Sequence, residues 1–228
     1  MDLNKTLRSQ FNTQIENAYI IRISGNRESV RLSERCAASC EKSGMPYQFF
    51  EGIDGTSGQL VVPPSLQSCT ALTWLKAVDH ELSVTEIACV LSHFALWVKC
   101  LELDQPIVIL EHDAIMVKAF RDFQAFNQII YLGGSEQVTK GWPVLPIPPH
   151  ATLNHNYHFI CRAHAYAIDP AMAKNLVSHV VKFGVHEALD IMMRADLFSI
   201  VQMGLYAYDE GGETTIVDRK KTPAGIER

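Results

Sequence analysis

Two carboxylates, Glu111 and Asp113, stand two residues apart at the end of the run Pro106-Ile107-Val108-Ile109-Leu110. Acids at this spacing can hold a hard divalent cation through oxygen and leave its other coordination positions to phosphate and water. The four apolar residues before them favour β structure and are bounded by proline and charge, the pattern of a strand buried on both faces. Side chains alternate along extended backbone, so both carboxylates are expected to point the same way. Ligands of open α/β sheets bind beyond the carboxyl ends of strands, which makes the acids either such a site or simple turn residues.

Other residues with chemical potential lie on either side. Ser83-Val84-Thr85-Glu86 has the spacing of a capping box, so Glu86 either completes a helix cap or reaches a ligand. The helix that follows has one apolar face of Ile87, Val90, Leu91, Phe94, Trp97, Val98 and Leu101. Its other side carries Glu86, Cys89, His93, Leu96 and Cys100, too apolar for open water, and predicts a helix packed on two sides. His93 is thus a hydrogen-bonded core histidine or part of a pocket wall. Arg22, Arg27 and Arg31 fall near the carboxyl edge of the first strand, where they grip phosphate or are merely solvated. Glu187 and Asp190 are carboxylates on a later expected helix. His155 and His158 have an HxxH spacing without acidic company, which reads as incidental.

The elements that must position these groups follow from pattern. Residues 18–23 read as a strand, Ser24-Gly25-Asn26 as a turn, 27–42 as a helix stopped by Gly44, and 47–50 as a second strand before the turn Gly52-Ile53-Asp54-Gly55. This is a βαβ unit, parallel and right-handed by chain twist. A short helix is expected at 72–77, another at 120–126, and a strand at 128–132. The proline-rich stretch 134–156 fits neither helix nor central strand and suits a lid or binding wall. One or two strands are expected within 157–168. Asp169-Pro170 then opens a helix that stops at Gly184. A helix at 186–196 and strands near 199–202 and 205–208 complete the reading.

Composition narrows the class. The chain has 228 residues, 47% hydrophobic and 20% charged, with a formal net charge of −5. That is a globular balance large enough for a core without staples, and it lacks the basic footprint of a nucleic-acid binder. The six cysteines contain no CxxC pair; Cys36 and Cys40 share a helix face but are a poor zinc site by themselves. The amino terminus lacks the apolar core of a signal peptide, and no uninterrupted apolar stretch is long enough to span a bilayer. The expectation is a cytoplasmic protein with reduced thiols and no transmembrane segment, with peripheral contact at the inner face of a membrane left open. No internal repeat is evident. The expected organisation is a lead-in at 1–17, a single domain at 18–216 and a polar tail at 217–228.

Thr85-Glu86-Ile87-Ala88-Cys89-Val90-Leu91-Ser92-His93, then a tryptophan-bearing helix, then a strand ending in Glu111-His112-Asp113, resembles the centre of glycosyltransferase family 25. That family includes bacterial lipooligosaccharide galactosyltransferases and collagen galactosyltransferases. Tyr19-Ile20-Ile21-Arg22-Ile23, Glu51-Gly52-Ile53-Asp54-Gly55, Ile130-Tyr131-Leu132-Gly133 and His164-Ala165-Tyr166-Ala167-Ile168 resemble further family segments in the same order, as does Asp190 with Ile191-Met192-Met193. Departures are Thr85 and Ala88 at glycine positions and His112 at the middle of the acidic triplet, where a weaker or differently tuned ion site is expected.

The resemblance implies an α/β nucleotide-binding fold of the GT-A type, with a mixed central sheet flanked by helices. It implies an inverting hexosyltransferase that moves a sugar, galactose from UDP-galactose first of all, onto a glycan, lipooligosaccharide or protein hydroxyl. Donor contacts fall to Arg22, Arg27, Arg31, Asp54, Glu86, Ser92, His93, Glu111 and His112; a Mn²⁺ or Mg²⁺ ion falls to Asp113 and Glu111, with His164 as an extra contact. Asp190, then Glu187, is the expected general base, unless these are plain helix-surface acids. Two other classes compete. A sugar-nucleotide or glycan binding protein with reduced catalysis fits His112 and the missing glycines, and a nucleotidyltransferase would use Ser24-Gly25-Asn26-Arg27 as its phosphate loop.

Overall fold

Residues 14–67, 82–133, 160, 163–195, 197–202 and 205–210 are described by a computed structural model. The expected helix at 72–77, the proline-rich stretch, His155, His158 and the polar tail lie outside the described residues. In chain order the elements are β1 (Ala18–Arg22), α1 (Arg27–Ser43), β2 (Tyr47–Glu51), α2 (Pro64–Gln67), α3 (Val84–Leu103), β3 (Ile107–Leu110) and β4 (Ile115–Met116). There follow β5 (Ile129–Tyr131), β6 (Ala165–Ile168), α4 (Pro170–Phe183), α5 (Leu189–Met192), β7 (Ile200–Gln202) and β8 (Ala207–Tyr208).

Six strands form one sheet in the order β2-β1-β3-β6-β5-β7, while β4 and β8 make a separate two-stranded ribbon. β1 runs parallel to β2 and β3, and β5 parallel to β7; β6 is antiparallel to both of its neighbours, so the sheet is mixed. This is the α/β architecture expected from the sequence, and it agrees with a GT-A-like fold. Alternation sorts the core into two layers. Tyr19, Ile21, Ile107, Ile109, Tyr131, Tyr166 and Ile168 pack with α3 and α4 on one face. Ala18, Ile20, Val108, Leu110, Ile130, Ala165 and Ala167 pack on the other with Cys36, Ala37 and Cys40 of α1. Period two along each strand therefore produces a buried face for each helical layer.

The helix ends are written in side chains. Asn26 accepts hydrogen bonds from the backbone N–H groups of Glu28 and Ser29, each at 3.0 Å, and Gly44 closes α1 at φ 74°. Ser83 and Glu86 form the expected capping box at the start of α3. Asp169 caps α4 ahead of Pro170, and Gly184 ends it. α3 is the one helix among the described residues long and apolar enough to cross a membrane, yet 72% of its apolar window is buried inside the protein. Its apolarity is accounted for by packing on two sides, against the sheet and against α4.

Two expected helices differ from the structure. Residues 120–126 form none: Asp122 bridges Gln14, Ile15 N–H donates to the Arg121 carbonyl at 2.9 Å, and Asn127 turns the chain at φ 52°. Phe120 and Phe123 are both buried, and their spacing imitates a helical face although their backbone is committed to the amino-terminal segment. The expected helix at 186–196 shrinks to α5, because Ala188 offers no side-chain cap and Met193 leaves helical geometry at ψ 76°. Glu187 therefore precedes the helix that carries Asp190.

Close backbone approach fixes the β2–α3 junction. A Cβ at Gly55 would lie 2.6 Å from the Val84 carbonyl oxygen, whereas one at Gly44 would meet nothing within 4 Å and suffer only its positive φ. Gly55→Ala is expected to lower unfolding free energy by about 1–3 kcal/mol through overpacking. Gly44→Ala should lose about 1 kcal/mol through left-handed strain. Urea denaturation of both variants measures the two costs.

Candidate active site

A cleft of about 550 Å³, solvent at its mouth included, opens beyond the carboxyl ends of β1 and β3. Ile21, Ile23, Ile53 and Gly55 form one wall, Thr85, Ala88, Cys89, Ser92 and His93 of α3 another, and Glu111, His112 and Asp113 the end of the floor. The acids do not reach the cleft by extended alternation as expected. Chain direction changes in a tight turn, with Ala114 N–H donating to the Glu111 carbonyl at 3.1 Å, and the turn brings both acids to the cleft.

The two acids are electrostatically unequal. Burial by itself would raise the Glu111 carboxyl; the imidazoles of His93, His112 and His164 outweigh it and hold the group down at about 2. Burial pushes Asp113 the other way, well above the usual aspartate range, and the charges of Glu111 and Asp209 add to the rise while Arg35 opposes it. Two neighbouring carboxylates in a poorly solvated site share their ionisation unequally. Asp113 Oδ1 is buried without a hydrogen bond.

His93 is held from behind. Its Nδ1 lies 2.7 Å from the Tyr166 hydroxyl, which also accepts a hydrogen bond from Trp97 Nε1–H at 2.9 Å. An indole nitrogen only donates, so it uses one lone pair of the tyrosine oxygen and limits how that hydroxyl meets the imidazole. On the cleft side His93 Nε2 is 3.3 Å from Glu111 Oε1, an electrostatic contact without hydrogen-bond geometry. Cys89 Sγ donates to the same oxygen at 3.6 Å. Burial first, then the charges of Glu111 and Asp190, raise the Cys89 thiol well above its ordinary pKa. Cys89, His93 and Glu111 present ligand atoms within 4.8 Å of one another, a group able to hold a metal ion.

The structure brings together some expected site residues and separates others. Ser92, His93, Glu111, His112 and Asp113 line the cleft. The Ser92 hydroxyl is already engaged, donating to the Ala88 carbonyl at 2.7 Å and accepting from Ile53 N–H at 2.8 Å. Glu86 is committed to its cap, its Oε2 accepting from Ser83 N–H at 3.0 Å. Asp54 accepts from Thr56 N–H and Oγ1–H at 2.8 and 2.6 Å, bracing a turn beside the cleft. The Arg22 guanidinium lies 4.1 Å from the centre of the Phe49 ring, and Arg31 pairs with Glu28 at 2.6 Å on the exposed surface of α1. Arg27 is exposed at the first position of α1.

Asp190 is close enough for its charge to act on Cys89, whereas Glu187 lies 3.7 Å from Arg194. His164 does not line the cleft: its Nδ1 is 3.2 Å from Asp209 Oδ2, and its carbonyl accepts from Glu111 N–H at 2.9 Å. Gly133 permits this placement, since a Cβ there would lie 2.2 Å from His164 Nε2.

Sequence reasoning missed the roles of Cys89, Tyr166, Asp209 and Arg35. Cys89 was visible one turn before His93 on the same helix side, but Asp209 and Arg35 come from sequence positions whose proximity to β3 only the fold reveals. Arg35 pairs with Glu210 at 2.8 Å beside the acids.

The fold and cleft thus define an α/β protein that presents acids, imidazoles and a thiol at the strand ends, suited to a charged ligand. Residues 16–137, more than half of the chain, match the model of glycosyltransferase family 25, described as LPS biosynthesis protein. The chain belongs to that family, and it is a glycosyltransferase whose partners are a sugar donor and a glycan acceptor. No curated protein matches the chain. Every residue lining the cleft falls within the matched span.

Asp113 generates a stability test. An acid whose folded pKa is raised keeps its proton in the folded state after the unfolded chain has lost it, so stability declines as pH rises from the ordinary aspartate pKa through the folded value. Asp113→Asn lacks this decline. In metal-free urea titrations the variant should be more stable than the wild type by about 0.5–2 kcal/mol at neutral pH, with the gain fading toward about pH 4.

Proposed function

We propose that the protein is an inverting, metal-dependent hexosyltransferase that takes galactose from UDP-galactose and delivers it to a glycan or glycolipid hydroxyl. The observation that carries the reading is the pair Glu111 and Asp113 in the cleft beyond β3, with a buried Asp113 oxygen that has no hydrogen bond. Oxygen donors of this kind fit Mn²⁺ or Mg²⁺, and Glu111 with Asp113 would hold the ion. When bound, it would supply positive charge to the diphosphate that leaves the sugar.

The chain's own residues do the rest of the work. The apolar wall of Ile21, Ile23 and Ile53 excludes water from one side of the cleft. Imidazoles around Glu111 keep it ionised, so one negative charge is fixed before ligand arrives. Asp190 takes the proton from the attacking hydroxyl; it is preferred to Glu187 because its charge reaches the α3 wall at Cys89 while Glu187 faces Arg194. Arg22 and Arg27 stand near the carboxyl end of β1, from which long guanidinium side chains can reach a phosphate. His164, behind Glu111 and against Asp209, supports the acids from outside the cleft. A cytoplasmic protein at the inner membrane face suits an acceptor carried on lipid.

With UDP-galactose and a panel of glycan acceptors, UDP release should require Mn²⁺ or Mg²⁺. Asp113→Ala should lower kcat/KM by about 10²-fold or more, and Asp190→Asn should lower kcat by about 10²–10⁴-fold with donor binding retained. Donor binding in calorimetry with no UDP release across the panel would instead identify a sugar-nucleotide binding protein. Full turnover of Asp113→Ala, or in the presence of chelator, would remove the metal from the reading.

A further inference from the structure

The proposed oxygen-bound ion does not account for the Cys89 and His93 side of the cleft. Cys89 and His93 are one turn apart on α3, and both meet Glu111 Oε1, at 3.6 Å from Sγ and 3.3 Å from Nε2. Bond lengths of about 2.0–2.3 Å place neighbouring ligand atoms about 3.3–3.7 Å apart in a tetrahedral zinc site. Both contacts to Glu111 already have that separation, and all the ligand atoms lie within 4.8 Å of one another. His93 is 0% exposed, and its Nε2 is buried without a hydrogen bond although it faces the cleft wall.

We propose that Cys89, His93 and Glu111 form a binding site for a thiophilic divalent cation of the Zn²⁺ type, with its open coordination position toward the cleft. Sulfur, imidazole nitrogen and one carboxylate favour such an ion over Mg²⁺ or Mn²⁺, which prefer oxygen throughout. The support behind His93 is of the kind metal-bound histidines have. Tyr166 holds Nδ1 at 2.7 Å and is itself fixed by Trp97, so the imidazole plane is set before any ion arrives. On binding, the Cys89 S–H bond breaks, its proton passes to solvent, and the sulfur electron pair forms the metal bond. In the ion-bound form the imidazole keeps its proton on Nδ1, against the Tyr166 oxygen, and gives the Nε2 lone pair to the ion, any proton on Nε2 passing to solvent with that of the thiol. No electron is transferred. Glu111 belongs to this site and to the proposed oxygen site, so a thiophilic ion competes with the transfer reaction; that consequence alone rests on the reading given under Proposed function.

Co²⁺ is the probe, titrated into the metal-free full chain. The expected result is a saturable thiolate-to-cobalt charge-transfer band at one ion per chain, abolished by stoichiometric Zn²⁺. Cys89→Ala should lose the band and bind Zn²⁺ about 100-fold more weakly or worse. Cys89→Ser, which keeps the side-chain shape, should lose the band too, and circular dichroism confirms that each variant is folded. Asp113→Ala should keep the band. Absence of a band in the wild type, its survival in both Cys89 variants, or its loss in folded Asp113→Ala would overturn the proposal. Mn²⁺ binding, read separately by electron paramagnetic resonance, distinguishes the two ideas: a cobalt band in a chain that binds no Mn²⁺ would sink the oxygen site and leave this one standing.

Discussion

An ionised carboxylate at the end of a buried strand is the constraint around which this structure is arranged. Glu111 follows four fully buried residues of β3, where a charge taken from water is expensive unless nearby groups compensate it. Compensation comes from elements far apart in sequence: His93 from α3, His164 from the lead-in to β6, and His112 from the turn itself. Its backbone N–H is bound to the His164 carbonyl. The end of β3 thus joins α3 to β6, and the packing of these elements sets the electrostatics of the cleft.

The antiparallel strand β6 has a particular part in this. It lies between β3 and β5, with Tyr166 opposite Ile109 and Ala165 opposite Leu110. The register places the Tyr166 ring on the α3 face, where its hydroxyl meets His93 and Trp97. A shift of one residue would send the ring to the α1 face and leave His93 Nδ1 without that partner. Sheet register, a property of the core, therefore determines the orientation of a cleft residue.

Much of the fold was legible because short-range chemistry agreed with long-range packing. Asn26, Ser83 and Asp169 mark helix starts through their side chains, and the apolar run of β3 has no reading except burial. Residues 120–126 misled because Phe120 and Phe123 are buried by a bridge to residue 14, a tertiary pairing that helical spacing cannot distinguish from a helix. For the cleft, the sequence revealed residues close to one another along the chain or along one helix. It placed Ser92, His93, Glu111, His112 and Asp113, but it assigned Glu86 to a ligand as well as to its cap, and the structure shows only the cap. Asp209 and Arg35 were illegible, since their effect on Asp113 depends on β8 and α1 converging beside the β3 turn.

His112 is best understood through that same electrostatics. The related pattern has an acid at this position, and its replacement reads at first as a lost metal contact. Asp113 already experiences the charges of Glu111 and Asp209, and a further carboxylate between positions 111 and 113 would add to that repulsion in a site that solvates charge poorly. The imidazole instead helps hold Glu111 in its ionised form and lies 3.4 Å from the Ser29 hydroxyl of α1 through Nδ1. The exchange trades a possible oxygen ligand for an imidazole that favours the ionised form of Glu111 and spares Asp113 a further repulsion. A cation arriving at Asp113 meets a carboxyl that burial, Glu111 and Asp209 already bias toward its protonated form, and by adding no third negative charge His112 keeps that proton competition from growing.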